Sequence, residues 1–100
     1  MNFVELETEV FKAAVESKKD IFLLDVREEY EFEDDNIGGT NIPMGEVLSK
    51  VDEFKAYDHI YVICKSGKRS QAIGYHLSKA LNNSTIYSCC GGIQAYTELS

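Results

Sequence analysis

Two short runs of the chain are apolar at nearly every position: DIFLLDV at residues 20–26 and HIYVI at 59–63. A strand wetted on one face alternates apolar with polar residues, so unbroken apolar runs predict strands covered on both sides. Stretches of helical period surround them. LETEVFKAAVESKK, residues 6–19, sets Leu6, Val10, Phe11 and Ala14 on one face with charge opposite. SQAIGYHLSKAL, residues 70–81, does the same with Ala72, Ile73, Leu77 and Leu81. STIYS at 84–88 predicts a third strand, and GGIQAYTEL at 91–99 a short closing helix or turn. Strands alternating with helices imply an α/β fold, a small parallel β-sheet flanked by helices on both faces. A chain of 100 residues with 44% hydrophobic content builds one small core, so a single domain over residues 1–100 is expected.

The intervening segments punctuate this alternation. REEYEFEDDN, residues 27–36, crowds Glu28, Glu29, Glu31, Glu33, Asp34 and Asp35 together and predicts a solvated helix or loop. IGGTNIP, residues 37–43, holds Gly38, Gly39 and the one proline, Pro43, and predicts a turn into a short extended piece. MGEVLSKVDEF, residues 44–54, can form a short helix using Met44, Val47, Leu48 and Val51.

A formal charge of -7 and a pI near 4.7 argue against nucleic acid or an anionic membrane as partner, because both reward a broad basic face. The start, MNFVELETEV, lacks a basic then apolar leader, and no apolar run approaches bilayer length, so a soluble cytoplasmic protein is expected. Cys64, Cys89 and Cys90 are an odd number without the spacing of a disulfide framework. Adding His59 and His76 yields no recognisable zinc spacing, so reduced thiols with neither metal nor cofactor are expected. Both histidines are read as solvated or locally hydrogen-bonded, away from Cys64.

The stretch VICKSGKRSQA, residues 62–72, concentrates the chemistry. In a parallel sheet ligands bind beyond the carboxyl ends of the strands, and Cys64 follows such an end. Gly67 can adopt angles closed to other residues, so the loop can curl with its N–H groups inward. Those dipoles, the N-terminus of a helix starting near Ser70, and the charges of Lys65, Lys68 and Arg69 favour thiolate over thiol. The same field would hold an anionic substrate, which is the setting of a nucleophilic cysteine.

Three motifs in order resemble the single-domain rhodanese family of sulfurtransferases: LLDVREEYEFEDDNIGGTNIP at 23–43, CKSGKRS at 64–70 and GGIQAY at 91–96. The resemblance covers nearly the whole chain and implies a rhodanese-like fold and a ping-pong sulfur transfer. Cys64 would take a sulfane sulfur from thiosulfate or a small persulfide, carry it as a persulfide, and give it to a thiol or cyanide. Lys65, Ser66, Gly67, Lys68, Arg69 and Ser70 would form the anion-binding loop, the backbone N–H groups from Lys65 to Arg69 stabilising the persulfide and the cations drawing in the donor. Asp25 and Arg27 would be supporting residues, though Arg27 could also receive an anion. The same fold carries Cdc25-like phosphatases and arsenate reductases, whose Cys-x5-Arg loop wraps a tetrahedral oxyanion. Cys64 to Arg69 is Cys-x4-Arg, a smaller cradle suited to one sulfur atom.

Two departures from the commoner family pattern stand out. DNIGGT places Asn36 where many members have histidine and Gly38 where they have proline; the turn is expected to survive because asparagine bonds backbone and tolerates turn angles. SCCGG places Cys89 and Cys90 at the end of the last strand, on the same side of the sheet as Cys64. Their side chains should point opposite ways, so at most one faces the loop, either as packing or as a thiol that resolves or relays the persulfide. The alternative function is a persulfide carrier fed by a sulfur-relay protein partner.

Overall fold

The computed structural model describes residues 2–17 and 20–99. In chain order the elements are β1 Phe3–Leu6, α1 Thr8–Ser17, β2 Phe22–Asp25, α2 Glu29–Asp34, β3 Thr40–Asn41 and α3 Met44–Val47, which runs on as a 3₁₀ segment Leu48–Phe54. Then follow β4 His59–Ile63, α4 Lys68–Ala80, β5 Thr85–Cys89 and α5 Gly92–Glu98. The five strands form one sheet in the order β1-β5-β4-β2-β3, parallel throughout. This is the covered α/β sheet that the apolar runs require.

Side-chain alternation along the strands sorts the core into two layers. Ile60, Val62 and Cys64 point with Leu24, Ile86, Ile73, Leu77 and Phe54 into the layer beneath α3, the 3₁₀ segment and α4. Tyr61, Ile63 and Cys89 point the other way and meet Phe11, Val15, Ile93 and Tyr96 beneath α1 and α5. Phe11 is fully buried and packs edge-on to Tyr61 and Tyr96, with ring centroids 5.3 and 6.4 Å away. Burying a side chain of this size contributes about 1.5–3 kcal/mol.

Several expected faces shift by a residue or an element. Leu6 belongs to β1 rather than to the first helix, where Phe11 and Val15 are the buried residues and Val10 is 54% exposed. The end of that expected helix, Lys18 and Lys19, lies outside the described residues. Leu48 is exposed because the chain tightens into 3₁₀ geometry after Val47, and Phe54 fills the core in its place. On α4 the inward face is Ile73, Gly74 and Leu77, followed by Leu81 just beyond the helix, while Ala72 is exposed. Gly74 has a packing reason: a Cβ there would lie 2.5 Å from the Phe3 ring, so glycine lets α4 settle onto β1.

Parallel register brings all the carboxyl ends to one edge. Asp25 aligns with Ile63, and Leu6 with Cys89. Cys64 follows β4 directly, so the loop into α4 emerges there between β2 and β5. Among the described residues no helix is long and apolar enough to cross a membrane.

Candidate active site

Cys64 is 1% exposed, and its sulfur lies under the first turn of α4. Gly67 caps that helix with φ 100°, a left-handed conformation that glycine adopts without strain. This turns two backbone amides onto the sulfur: Gly67 N donates at 3.1 Å and Ser70 N at 3.3 Å. The thiol in turn donates to Ser70 Oγ at 3.6 Å. Two amides and a helix N-terminus aimed at one sulfur stabilise negative charge on it. The helix begins at Lys68, two residues before the expected start.

A second glycine turn clasps the loop from behind. Ile93 N donates to Cys64 O at 2.8 Å and Gln94 N to Lys65 O at 3.1 Å, so the start of α5 holds the loop's first two carbonyls. Gly92 permits this approach: a Cβ on it would lie 2.5 Å from Lys65 O and 2.6 Å from Cys64 O, and its φ is +64°.

The cations divide into held and free. Arg27 forks onto Asp25, with Nε to Oδ1 at 3.0 Å and Nη2 to Oδ2 at 2.9 Å, and Nη2 also donates to Asp35 O at 2.7 Å. Both partners are buried, and Asn41 ties the same strand end by donating to the carbonyls of Asp25 and Arg27. Arg27 is therefore occupied as a brace. Arg69 forks onto Glu31, with Nη1 to Oε1 at 2.8 Å and Nη2 to Oε2 at 3.0 Å. The Arg69 guanidinium holds the Glu31 carboxyl down at about 2, against an ordinary 4.5, and Glu31 raises Arg69 in return. Glu31 also accepts from the amide of Glu28 at 2.9 Å, which fixes it at the start of α2. Lys65, Ser66 and Lys68 are exposed.

Beside the loop, Arg27, Tyr30, Glu31, Asp34, Asp35 and Lys65 line an open cleft of about 380 Å³. A cleft of about 390 Å³ near Val15, Phe22, Ile37 and Thr40 is lined mainly by apolar groups and has no nucleophilic thiol. The turn at Asn36 is intact: Oδ1 accepts from Gly38 N at 2.9 Å and Nδ2 donates to Phe32 O at 2.8 Å.

Cys89 lies fully buried in the layer opposite Cys64, its thiol facing the carbonyls of Cys90 and Gly92 at 3.8 Å. Burial pushes that thiol up to about 11. Cys90 is exposed. His59 meets Tyr87 at the far end of β4, and His76 is exposed on α4, so neither joins Cys64. Among the described residues no group of three or more His, Cys, Asp or Glu is placed to hold a metal.

Two site residues escaped the sequence reading. Glu31 was one acid among six neighbours, and no local signal joins it to a cation 38 residues away. Ser88 is buried behind Ser70 at 2.8 Å; its one trace in the sequence is a polar residue two places after Ile86, on the same strand face.

A covered parallel sheet that presents a cysteine under a helix N-terminus, in a loop lined by amides, defines a class of α/β proteins built to stabilise an anion at one sulfur. The chain belongs to the rhodanese-like domain family, whose model matches residues 7–99. It is 41% identical over 76 residues to "Putative sulfur carrier protein YrkF" of Bacillus subtilis, a match covering 75% of this chain and 41% of that protein. The chain thus spans about two-fifths of that relative. It is 29% identical over 80 residues to "Putative sulfurtransferase YtwF" of the same organism, covering 79% of this chain and 78% of that one. A rhodanese-related protein of Thermoplasma volcanium, a solved structure, superposes with a TM-score of 0.78 at 27% identity, covering 94% of this chain and 90% of that chain. The two Bacillus names share the general chemistry of sulfur transfer.

Proposed function

We propose that the protein is a rhodanese-type sulfurtransferase with Cys64 as nucleophile, acting as a single rhodanese-like domain. The thiolate attacks the outer sulfur of thiosulfate; the S–S bond breaks, sulfite leaves with its electron pair, and a Cys64 persulfide forms. A thiol or cyanide then attacks that outer sulfur and returns Cys64 as thiolate. The carrying observation is the pair of amides, Gly67 N and Ser70 N, aimed at the Cys64 sulfur from the N-terminus of α4. Donors in this position stabilise the charge that develops on sulfur in both half-reactions.

A partner-fed persulfide carrier is the second reading, favoured by the charge around the loop. Arg27 and Arg69 are matched by Asp25 and Glu31, so among the described residues of the loop the basic charge left to draw in a small anion is that of Lys65 and Lys68. The neighbouring cleft is rimmed by Asp34 and Asp35. A cleft of that sign disfavours a free dianion and suits a donor protein that approaches with a basic rim.

Intact mass spectrometry of reduced protein after brief exposure to thiosulfate tests the main reading. A gain of one sulfur atom, reversed by cyanide and absent in Cys64→Ser, is the expected result. No gain with thiosulfate, but a gain from a persulfidated donor protein, would support the carrier.

A further inference from the structure

Ser88 is fully buried in β5, on the strand face that Ile86 fills with an apolar side chain. A hydroxyl there adds nothing to packing and costs stability unless it is hydrogen-bonded. Its partner among the described residues is Ser70 Oγ, 2.8 Å away. Ser70 is itself buried, and its oxygen has two further polar neighbours: Gly67 O at 3.2 Å and Cys64 Sγ at 3.6 Å.

Proton counting decides how these groups can be arranged. Ser70 has one hydroxyl proton and two lone pairs, and Gly67 O can only accept. Ser88 has no other acceptor among the described residues, so its proton goes to Ser70 Oγ. That leaves the Ser70 proton to point into the loop, toward Gly67 O or the sulfur. While Cys64 is a thiol it donates to Ser70 Oγ, and the Ser70 proton rests on Gly67 O. Once the sulfur is an anion it has nothing to donate and attracts the Ser70 proton. The chain then runs in one direction, from Ser88 O–H to Ser70 O–H to sulfur, and each bond polarises the next.

We propose that Ser88 is a positioning residue for Cys64: its buried hydroxyl donates to Ser70 Oγ and so directs the Ser70 proton onto the Cys64 sulfur when that sulfur is negatively charged. The proposal rests on Cys64 being the reactive thiol of the sulfurtransferase reading. It adds a third donor to the two amides and explains a buried hydroxyl that the core has no use for.

The test is the pH dependence of Cys64 alkylation by iodoacetamide, read by peptide mapping so that Cys89 and Cys90 are scored separately. Wild type, Ser88→Ala, Ser70→Ala and the double variant form a cycle. Ser88→Ala should move the midpoint upward by roughly half a pH unit and slow alkylation about threefold below it. Ser70→Ala should move it further, and adding Ser88→Ala to that background should move it no more. An unmoved midpoint in Ser88→Ala would overturn the proposal. So would an equal effect of Ser88→Ala with and without Ser70, since that would mark a packing effect and not a relay. Alkylation needs no sulfur donor, so a wild type that fails to load sulfur would sink the sulfurtransferase reading while the cycle still judged Ser88.

Discussion

Replacing Glu31 by glutamine should weaken the fold and improve capture of a small anion at the same time. The amide keeps the shape of the carboxylate and can still accept from Glu28 N, so the change isolates the charge facing Arg69. The Glu31 carboxyl is held at about 2 against an ordinary 4.5, which sets an upper limit of about 3.4 kcal/mol on its contribution at neutral pH. The Arg69 side chain is 34% exposed, so solvent screening reduces this to about 1–2 kcal/mol. Because the folded value lies below the unfolded one, the stabilisation is complete above about pH 5 and fades as pH falls toward 2. Urea unfolding of Glu31→Gln should show that deficit at pH 7, with a Tm lower by roughly 5–10 °C, and the two proteins should converge near pH 2. Freeing Arg69 places an unmatched charge beside the loop. A unit charge about 6 Å from a dianion is worth roughly 1.4 kcal/mol in water before salt screens it, so KM for thiosulfate should fall roughly threefold to tenfold at low ionic strength. Equal stability at pH 7 together with an unchanged KM would refute the claim that this ion pair holds the loop's charge.

Gly92→Ala forces a Cβ against the carbonyls of Cys64 and Lys65 and should cost about 2–4 kcal/mol through left-handed strain and lost amide bonds, with sulfur loading lost in parallel; thermal unfolding and intact mass read both. Asp25→Ala leaves the buried Arg27 guanidinium without its carboxylate and should destabilise by about 3–5 kcal/mol in a denaturant titration. Cys89 should resist iodoacetamide at pH 8 in the native state while exposed Cys90 is labelled, because burial keeps the Cys89 thiol protonated up to about 11. Rapid labelling of both would contradict the layer assignment.

What could be read in advance follows from how local each signal is. β2 and β4 announce themselves because both their faces are covered, and Gly67 marks the loop because its backbone angles are closed to other residues. β1 did not. Phe3–Leu6 is an edge strand paired, among the described residues, to β5 alone, its two middle residues are exposed, and Leu6 fits a helical face as well as a strand. Cys64 and its loop were legible for the same reason as the loop glycine: cysteine, glycine and helix start lie within seven residues. The Arg69–Glu31 fork was not, since any of six carboxylates could have met that cation and the sheet's strand order made the choice. The charge of the site therefore differs from the charge of its sequence.

The clasp between α5 and the loop has a consequence in the peptide planes themselves. Across a trans peptide the C=O of one residue and the N–H of the next point in opposite directions. The Cys64 and Lys65 carbonyls are turned toward the amides of Ile93 and Gln94, so the N–H groups of Lys65 and Ser66 face away from α5. Their direction is set when α5 docks, so in the proposed transfer no dipole would have to swing. Through two backbone hydrogen bonds α5 thereby orients two of the loop's N–H groups, and loosening it would blur their aim without changing any residue of the loop.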